Sequence, residues 1–179
     1  LCAELRRQVS GMKASADQRA LTIECNLPGE TWVHADSGLV RRLLANLLGN
    51  AVAHAPRRSR VDVSLGADGE LHIVNPAPHL TAADVPMLGE RFFRIGAGSG
   101  GSHAGLGLSL AAAMARVLQV RLDIRLRDDG CLIVSVAGFR PLSTVLESGS
   151  IGPTEDRIVS GEPASTGHSA GNAVARLRP

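Results

Sequence analysis

Between Arg41 and Pro56 the apolar residues Leu43, Leu44, Leu47, Leu48, Ala51 and Val52 recur at i, i+1, i+4, i+5, i+8 and i+9. On a 3.6-residue period they form one continuous face, so this stretch is expected to be a helix. Asp36 or Ser37 stands where its N-cap belongs, and Pro56, with no N–H to continue the ladder, ends it. Asn46, Asn50 and His54 fall on a second face, four residues apart, where side chains on successive turns can converge on one bound object. Asn favours caps and turns, so two of them inside a helix call either for a ligand or for a solvated stripe.

The rest of the chain reads outward from that helix. Leu5, Val9 and Met12 recur at helical intervals over residues 1 to about 17. Ala20–Leu27 is β-leaning, Pro28-Gly29 marks a turn, and Thr31–His34 is expected to be a second short strand. Arg60–Leu65 and Glu70–Asn75 alternate around Ala67-Asp68-Gly69, and Val120–Arg127 and Cys131–Val136 around Asp128-Asp129-Gly130, giving two hairpins. Between the hairpins lie a helical segment expected near Ala82–Arg91, a loop with four glycines in six residues over Gly96–Gly101, and a helix over Leu106–Leu118. The pattern predicts an α+β two-layer sandwich, with a mixed, largely antiparallel sheet and helices on one face. Three regions are expected: 1–19, the end of a linker helix; 20–140, the main domain; and 141–179, a flexible tail rich in Ser, Gly and Pro.

Composition narrows the function classes. The 179 residues are 44% hydrophobic and 20% charged with net charge +2, ordinary for a globular domain, and the scattered Lys and Arg give no nucleic-acid stripe or membrane-binding face. Aromatics are 2% with no Tyr, which removes base-stacking platforms. No apolar run is long enough to span a bilayer. Cys2, Cys25 and Cys131 are far apart and odd in number, so free thiols in a reducing compartment are expected. The start at Leu1 suggests a fragment of a longer chain.

Three stretches share a further likeness. Asn46-Leu-Leu-Gly-Asn50-Ala, with His54 and Pro56, resembles the asparagine box of the ATPase domain of sensor histidine kinases, in the GHKL group that includes Hsp90, gyrase and MutL. Glu90-Arg-Phe-Phe-Arg94 resembles the phenylalanine box, and Gly105-Leu-Gly-Leu-Ser-Leu110 the second glycine box, in the family's order over about Val33–Phe139. The resemblance implies the Bergerat fold, with ATP held between helices under a glycine-rich lid.

It also implies roles. Asn50 would chelate Mg2+, whose preference for hard oxygen ligands a carboxamide oxygen meets. Asn46 would support that site or contact phosphates, and His54 could donate to a phosphate or the ribose. Gly105, Leu106, Gly107 and Leu108 open a helix whose free N–H groups make a phosphate cradle. Arg91 or Arg94 would neutralise charge during phosphoryl transfer. Asn75 stands where the family's Asp accepts the adenine amine; its carbonyl can accept the same bond and its NH2 can donate to the neighbouring ring nitrogen. Ala77 stands where the family has Gly, Pro76 and Pro78 stiffen that turn, and Ala53 replaces a cation the family often places before the His.

The expected function is therefore the catalytic ATP-binding domain of a bacterial two-component sensor histidine kinase. Its implied partners are its own dimerising phosphoacceptor helical domain and a response regulator; its implied place is the cytoplasmic side of an inner-membrane parent. None of His34, His54, His72, His79, His103 or His168 has the phosphoacceptor context, so the acceptor must lie outside this chain. Two alternatives remain at this point: an anti-sigma-factor-like serine kinase, and a degenerate pseudokinase that signals by docking.

Overall fold

The computed structural model describes residues 1–90 and 107–140. Within them, helix α1 (Cys2–Gln18) leads into strand β1 (Thr22–Asn26), helix α2 (Ser37–His54), the hairpin β2 (Arg60–Leu65) and β3 (Leu71–Pro76), helix α3 (Gly107–Val117), and the hairpin β4 (Arg121–Leu126) and β5 (Cys131–Ala137). The sheet order is β1-β2-β3-β5-β4. β1 runs parallel to β2, and the other three pairings are antiparallel. This is the α+β architecture that the hydrophobic pattern predicts.

The alternation of the strands decides which face is covered. Val63, Ile73, Val134 and Ile124 lie in one cross-strand row, and the first three are buried. The intervening row of Asp62, Val74, Ile133 and Arg125 lies on the other face and is at most half-buried. α1 lies against β1, α2 against β3 and α3 against β4, with α2 packed between the other two helices. Leu43, Leu44 and Leu48 of α2 are fully buried in the core they share. Each such side chain contributes about 1.5–3 kcal/mol by leaving water.

α1 belongs to this same core. Cys2, Leu5 and Ala16 are buried in it, and Met12 reaches to within 3.9 Å of where a Cβ on Gly49 would stand. Glu4, only 2% exposed, accepts from Arg7 Nη1 and Gln8 Nε2, both at 2.8 Å, and pairs with Arg41 Nε of α2 at 3.4 Å. At the other end the two helices cap each other: Arg19 Nη2 donates to Ala55 O and Arg57 Nη2 to Gln18 O, each at 2.8 Å. Carbonyls left open at two helix C-termini thereby gain guanidinium donors.

Helix ends follow local chemistry. The Asp36 side chain accepts from Leu39 N at 2.8 Å and opens α2. α1 ends with Ala20 at φ +54°, Leu21 N donating to Ala16 O and Ala20 N to Asp17 O. α3 ends the same way, with Gln119 at φ +57°, Val120 N on Ala115 O and Gln119 N on Arg116 O. Both are Schellman motifs in which a non-glycine residue takes the left-handed position. In the β4–β5 turn, Gly130 takes φ +76° and donates from N to Arg127 O at 3.0 Å, while the Arg127 guanidinium bonds Asp129 and pushes that carboxyl down to about 2.

Two expectations are corrected. Thr31–His34 is no strand: only Val33 forms an isolated bridge, with His34 N donating to Arg140 O at 3.0 Å, because the segment is too short to extend the ladder. Ala82–Arg91 is not a helix within the described residues. It makes turns and a single 3-10 turn over Val85–Met87, since Asp84 Oδ2 folds back to accept from Thr81 N and Oγ1 and Pro86 offers no backbone donor. The glycine-rich stretch Gly96–Gly101 and the tail 141–179 lie outside the described residues.

Candidate functional site

α2 and α3 meet where the asparagines lie. Gly107 is the first residue of α3, and a Cβ placed on it would stand 3.7 Å from Asn50 Oδ1 and 3.9 Å from Asn46 O. A side chain here would fill the space beside the carboxamide, so glycine keeps the oxygen of Asn50 open next to a helix N-terminus. Asn46 and Asn50 are both half-buried. Asn46 Nδ2 donates to Arg42 O at 2.7 Å, which leans its side chain over the preceding turn. His54 is exposed at the last residue of α2, and Leu108 is buried behind Gly107.

Asn75 lies on the helix-covered face at the end of β3, opposite Leu132, and is 2% exposed. Its Nδ2 donates to Pro76 O at 3.0 Å. Among the described residues no donor reaches its Oδ1, and this nearly buried carboxamide has one hydrogen committed to the backbone. Next to it, Ala77 is buried, donates from N to Gly130 O at 2.8 Å, and has no left-handed φ. Alanine therefore follows β3 without backbone strain, and the turn closes through Leu80 N to Ala77 O at 2.9 Å.

The connection after α2 fixes how these parts line up. Five residues separate the end of α2 from the start of β2, whose register, with Asp62 opposite Val74, brings the C-terminal end of β3 to the same edge. Asn75 is therefore at the His54 end of α2, and Asn50 and Asn46 lead away from it. One residue absent from the sequence reading continues the stripe. Arg42, one turn before Asn46, is exposed, and no carboxylate among the described residues pairs with it. The fourfold spacing 42, 46, 50, 54 carries that signal, but the pair Arg41-Arg42 hides it until the structure commits Arg41 to Glu4. Arg91, Arg94, Gly105 and Leu106 lie outside the described residues.

Chemically, the site presents carboxamide oxygens and backbone N–H groups, and Asn46, Asn50, Asn75, Ala77, Gly107 and Leu108 carry no formal charge. Among the described residues no three His, Cys, Asp or Glu side chains gather to hold a metal. A hard divalent ion here would take one or two protein oxygens and its remaining ligands from phosphate and water, the coordination magnesium prefers.

The family profile described as "Histidine kinase-, DNA gyrase B-, and HSP90-like ATPase" matches residues 35–142. The chain belongs to this ATPase family. Its relatives include the adaptive-response sensory kinase SasA of Gloeothece citriformis, 27% identical over 147 residues that make up 78% of this chain and 37% of SasA. The sensor-like histidine kinase SenX3 of Mycobacterium tuberculosis H37Rv is 32% identical over 106 residues, 58% of this chain and 26% of SenX3. Sensor protein QseC of Escherichia coli K12 is 29% identical over 127 residues, 70% of this chain and 28% of QseC. The chain thus spans well under half the length of these curated relatives. Among solved structures, the mycobacterial sensor histidine kinase MprB superposes with a TM-score of 0.63 at 22% identity, over 79% of this chain and 95% of that one. Full-length ShkA in complex with AMPPNP gives 0.65 at 19% identity, over 78% of this chain and 30% of ShkA. These likenesses establish the fold.

Proposed function

We propose that this chain is the catalytic, nucleotide-binding domain of a bacterial sensor histidine kinase, which binds Mg-ATP and offers its γ-phosphate to a histidine on a separate domain. The observation that carries this reading is the seating of Gly107, at the start of α3, against the Asn50 carboxamide of α2. Free N–H groups at a helix N-terminus favour phosphate, and an amide oxygen beside them suits the cation that accompanies it.

Each residue then has a task. Asn75 Oδ1 accepts the exocyclic amine of adenine while Pro76 O fixes the rotation of the carboxamide, so the neutral side chain reads an amine without a carboxylate. Asn50 and Asn46 hold the phosphate end, and Gly107 and Leu108 supply backbone N–H groups toward it. Magnesium, bound at Asn50, would lower the negative charge that an incoming nucleophile meets. Arg91 and Arg94 would neutralise charge on the transferring group. An imidazole nitrogen of the acceptor attacks phosphorus, the bond to the bridging oxygen of ADP breaks, and the phosphoryl group passes onward to a response regulator. The relatives named as sensor kinases support this kinase reading over a serine kinase or a docking module. A dimerising acceptor domain and an inner-membrane parent are part of the same proposal.

Calorimetric titration of the chain with ATP, ADP and GTP, with and without magnesium, tests it. The expected result is adenine-selective binding strengthened by magnesium, with the magnesium dependence lost in Asn50→Ala. Absence of binding at millimolar nucleotide would overturn the reading.

A further inference from the structure

α2 displays two adjacent arginines with different fates. Arg41 is committed to the buried carboxylate of Glu4 on α1. Arg42, the next residue, is exposed and has no carboxylate partner among the described residues. It continues the line of Asn50 and Asn46 by one more turn, a rise of about 6 Å. Side chains on a helix lean toward its N-terminus, as the bond from Asn46 Nδ2 to Arg42 O shows at 2.7 Å. By the same lean, a side chain at Arg42 extends beyond Asn46, toward the N-terminal end of α2.

That order has a chemical meaning. Asn75, which would hold the base, lies at the C-terminal end of α2, so a nucleotide laid along the stripe passes Asn50, then Asn46, and brings its last phosphate toward Arg42. The stripe is otherwise uncharged, and Ala53 leaves no cation in the turn before His54. A planar guanidinium donates two parallel N–H bonds to a phosphate and keeps its charge at every working pH.

We propose that Arg42 is the residue by which this chain distinguishes a nucleoside triphosphate from a diphosphate, its guanidinium meeting the terminal phosphate. The inference rests on the nucleotide-binding reading above and adds a specificity determinant to it. Arg42 would meet the phosphate from α2 itself.

The test compares magnesium-dependent ATP and ADP dissociation constants of the whole chain with those of Arg42→Ala, Arg42→Lys and, as an exposed cation on the opposite side of the fold, Arg121→Ala. Arg42→Ala should weaken ATP about tenfold, the loss of one charge-assisted contact, and change ADP less than twofold. Arg42→Lys should recover part of the loss, and Arg121→Ala should change neither ligand. The preference for ATP in the unsubstituted chain should also shrink as salt rises from low to physiological strength, as a solvent-facing contact must. Equal weakening of ATP and ADP, or no change in either, would overturn the assignment to Arg42 while leaving nucleotide binding intact. An unsubstituted chain that binds neither nucleotide would remove both readings together.

Discussion

Asn75 is where one atom changes the most. The family's carboxylate at this position would place an oxygen where Nδ2 now donates to Pro76 O at 3.0 Å, and two acceptors cannot share that contact. Asn75→Asp should therefore fail to improve on the natural residue. In a side chain that is 2% exposed, the lost bond should cost about 1–3 kcal/mol at neutral pH. The carboxyl can recover the bond only by holding a proton, so its folded value must rise above the ordinary value of about 4. A folded state that binds the proton more tightly than the unfolded one loses stability as pH rises through that interval, so the variant's deficit against the parent should grow from about pH 4 upward. Urea melts of the two chains across pH 4 to 8 measure this. A deficit that is flat with pH would show that the Asn75–Pro76 bond does not set the rotation of the carboxamide.

At the scale of elements, the two Schellman motifs expose a cost that glycine would remove. Ala20 and Gln119 hold left-handed backbone at φ +54° and +57°, a conformation that costs an L residue about 1–2 kcal/mol. Glycine surrenders part of that gain as extra freedom in the unfolded chain. Ala20→Gly and Gln119→Gly should each stabilise the fold by about 0.5–1 kcal/mol, read as a higher urea midpoint with an unchanged slope. Unaltered midpoints would mean that the two helix ends relax without strain. The same elements show what the sequence could and could not reveal. α2, both hairpins and α3 were legible because apolar periodicity, Asp36, Pro56 and the turn glycines all indicated the same boundaries. The stretch Ala82–Arg91 was not, because Asp84 bonding back to Thr81 is a local competitor that a helix-like composition conceals. The site was legible as types on a stripe, Asn46 and Asn50, while the approach of Gly107 to Asn50 is a tertiary fact with no sequence signature.

For the whole molecule, the boundary expected at residue 19 meets a packing argument. A helix that merely linked domains would rest on the surface, whereas α1 buries Cys2, Leu5 and Ala16 in the core of α2. It also seals Glu4 against Arg41 and exchanges caps with α2 through Arg19 and Arg57. Removing α1 strips cover from α2, the helix that carries Asn46 and Asn50. Full burial of Leu5 alone is worth about 1.5–3 kcal/mol, and a domain of this size holds only about 5–15 kcal/mol in all. A chain cut to residues 20–140 should therefore lose its cooperative thermal transition or melt far below a chain of residues 1–140, and it should bind a hydrophobic dye that the longer chain excludes. The comparison also separates packing from signalling. If 20–140 melts cooperatively within a few degrees of 1–140, α1 is a detachable linker, and its contacts with α2 become a route by which an upstream domain could act on the asparagine stripe. If it does not, α1 is part of the nucleotide-binding domain, and any upstream signal must reach α2 through a helix whose removal would unfold it.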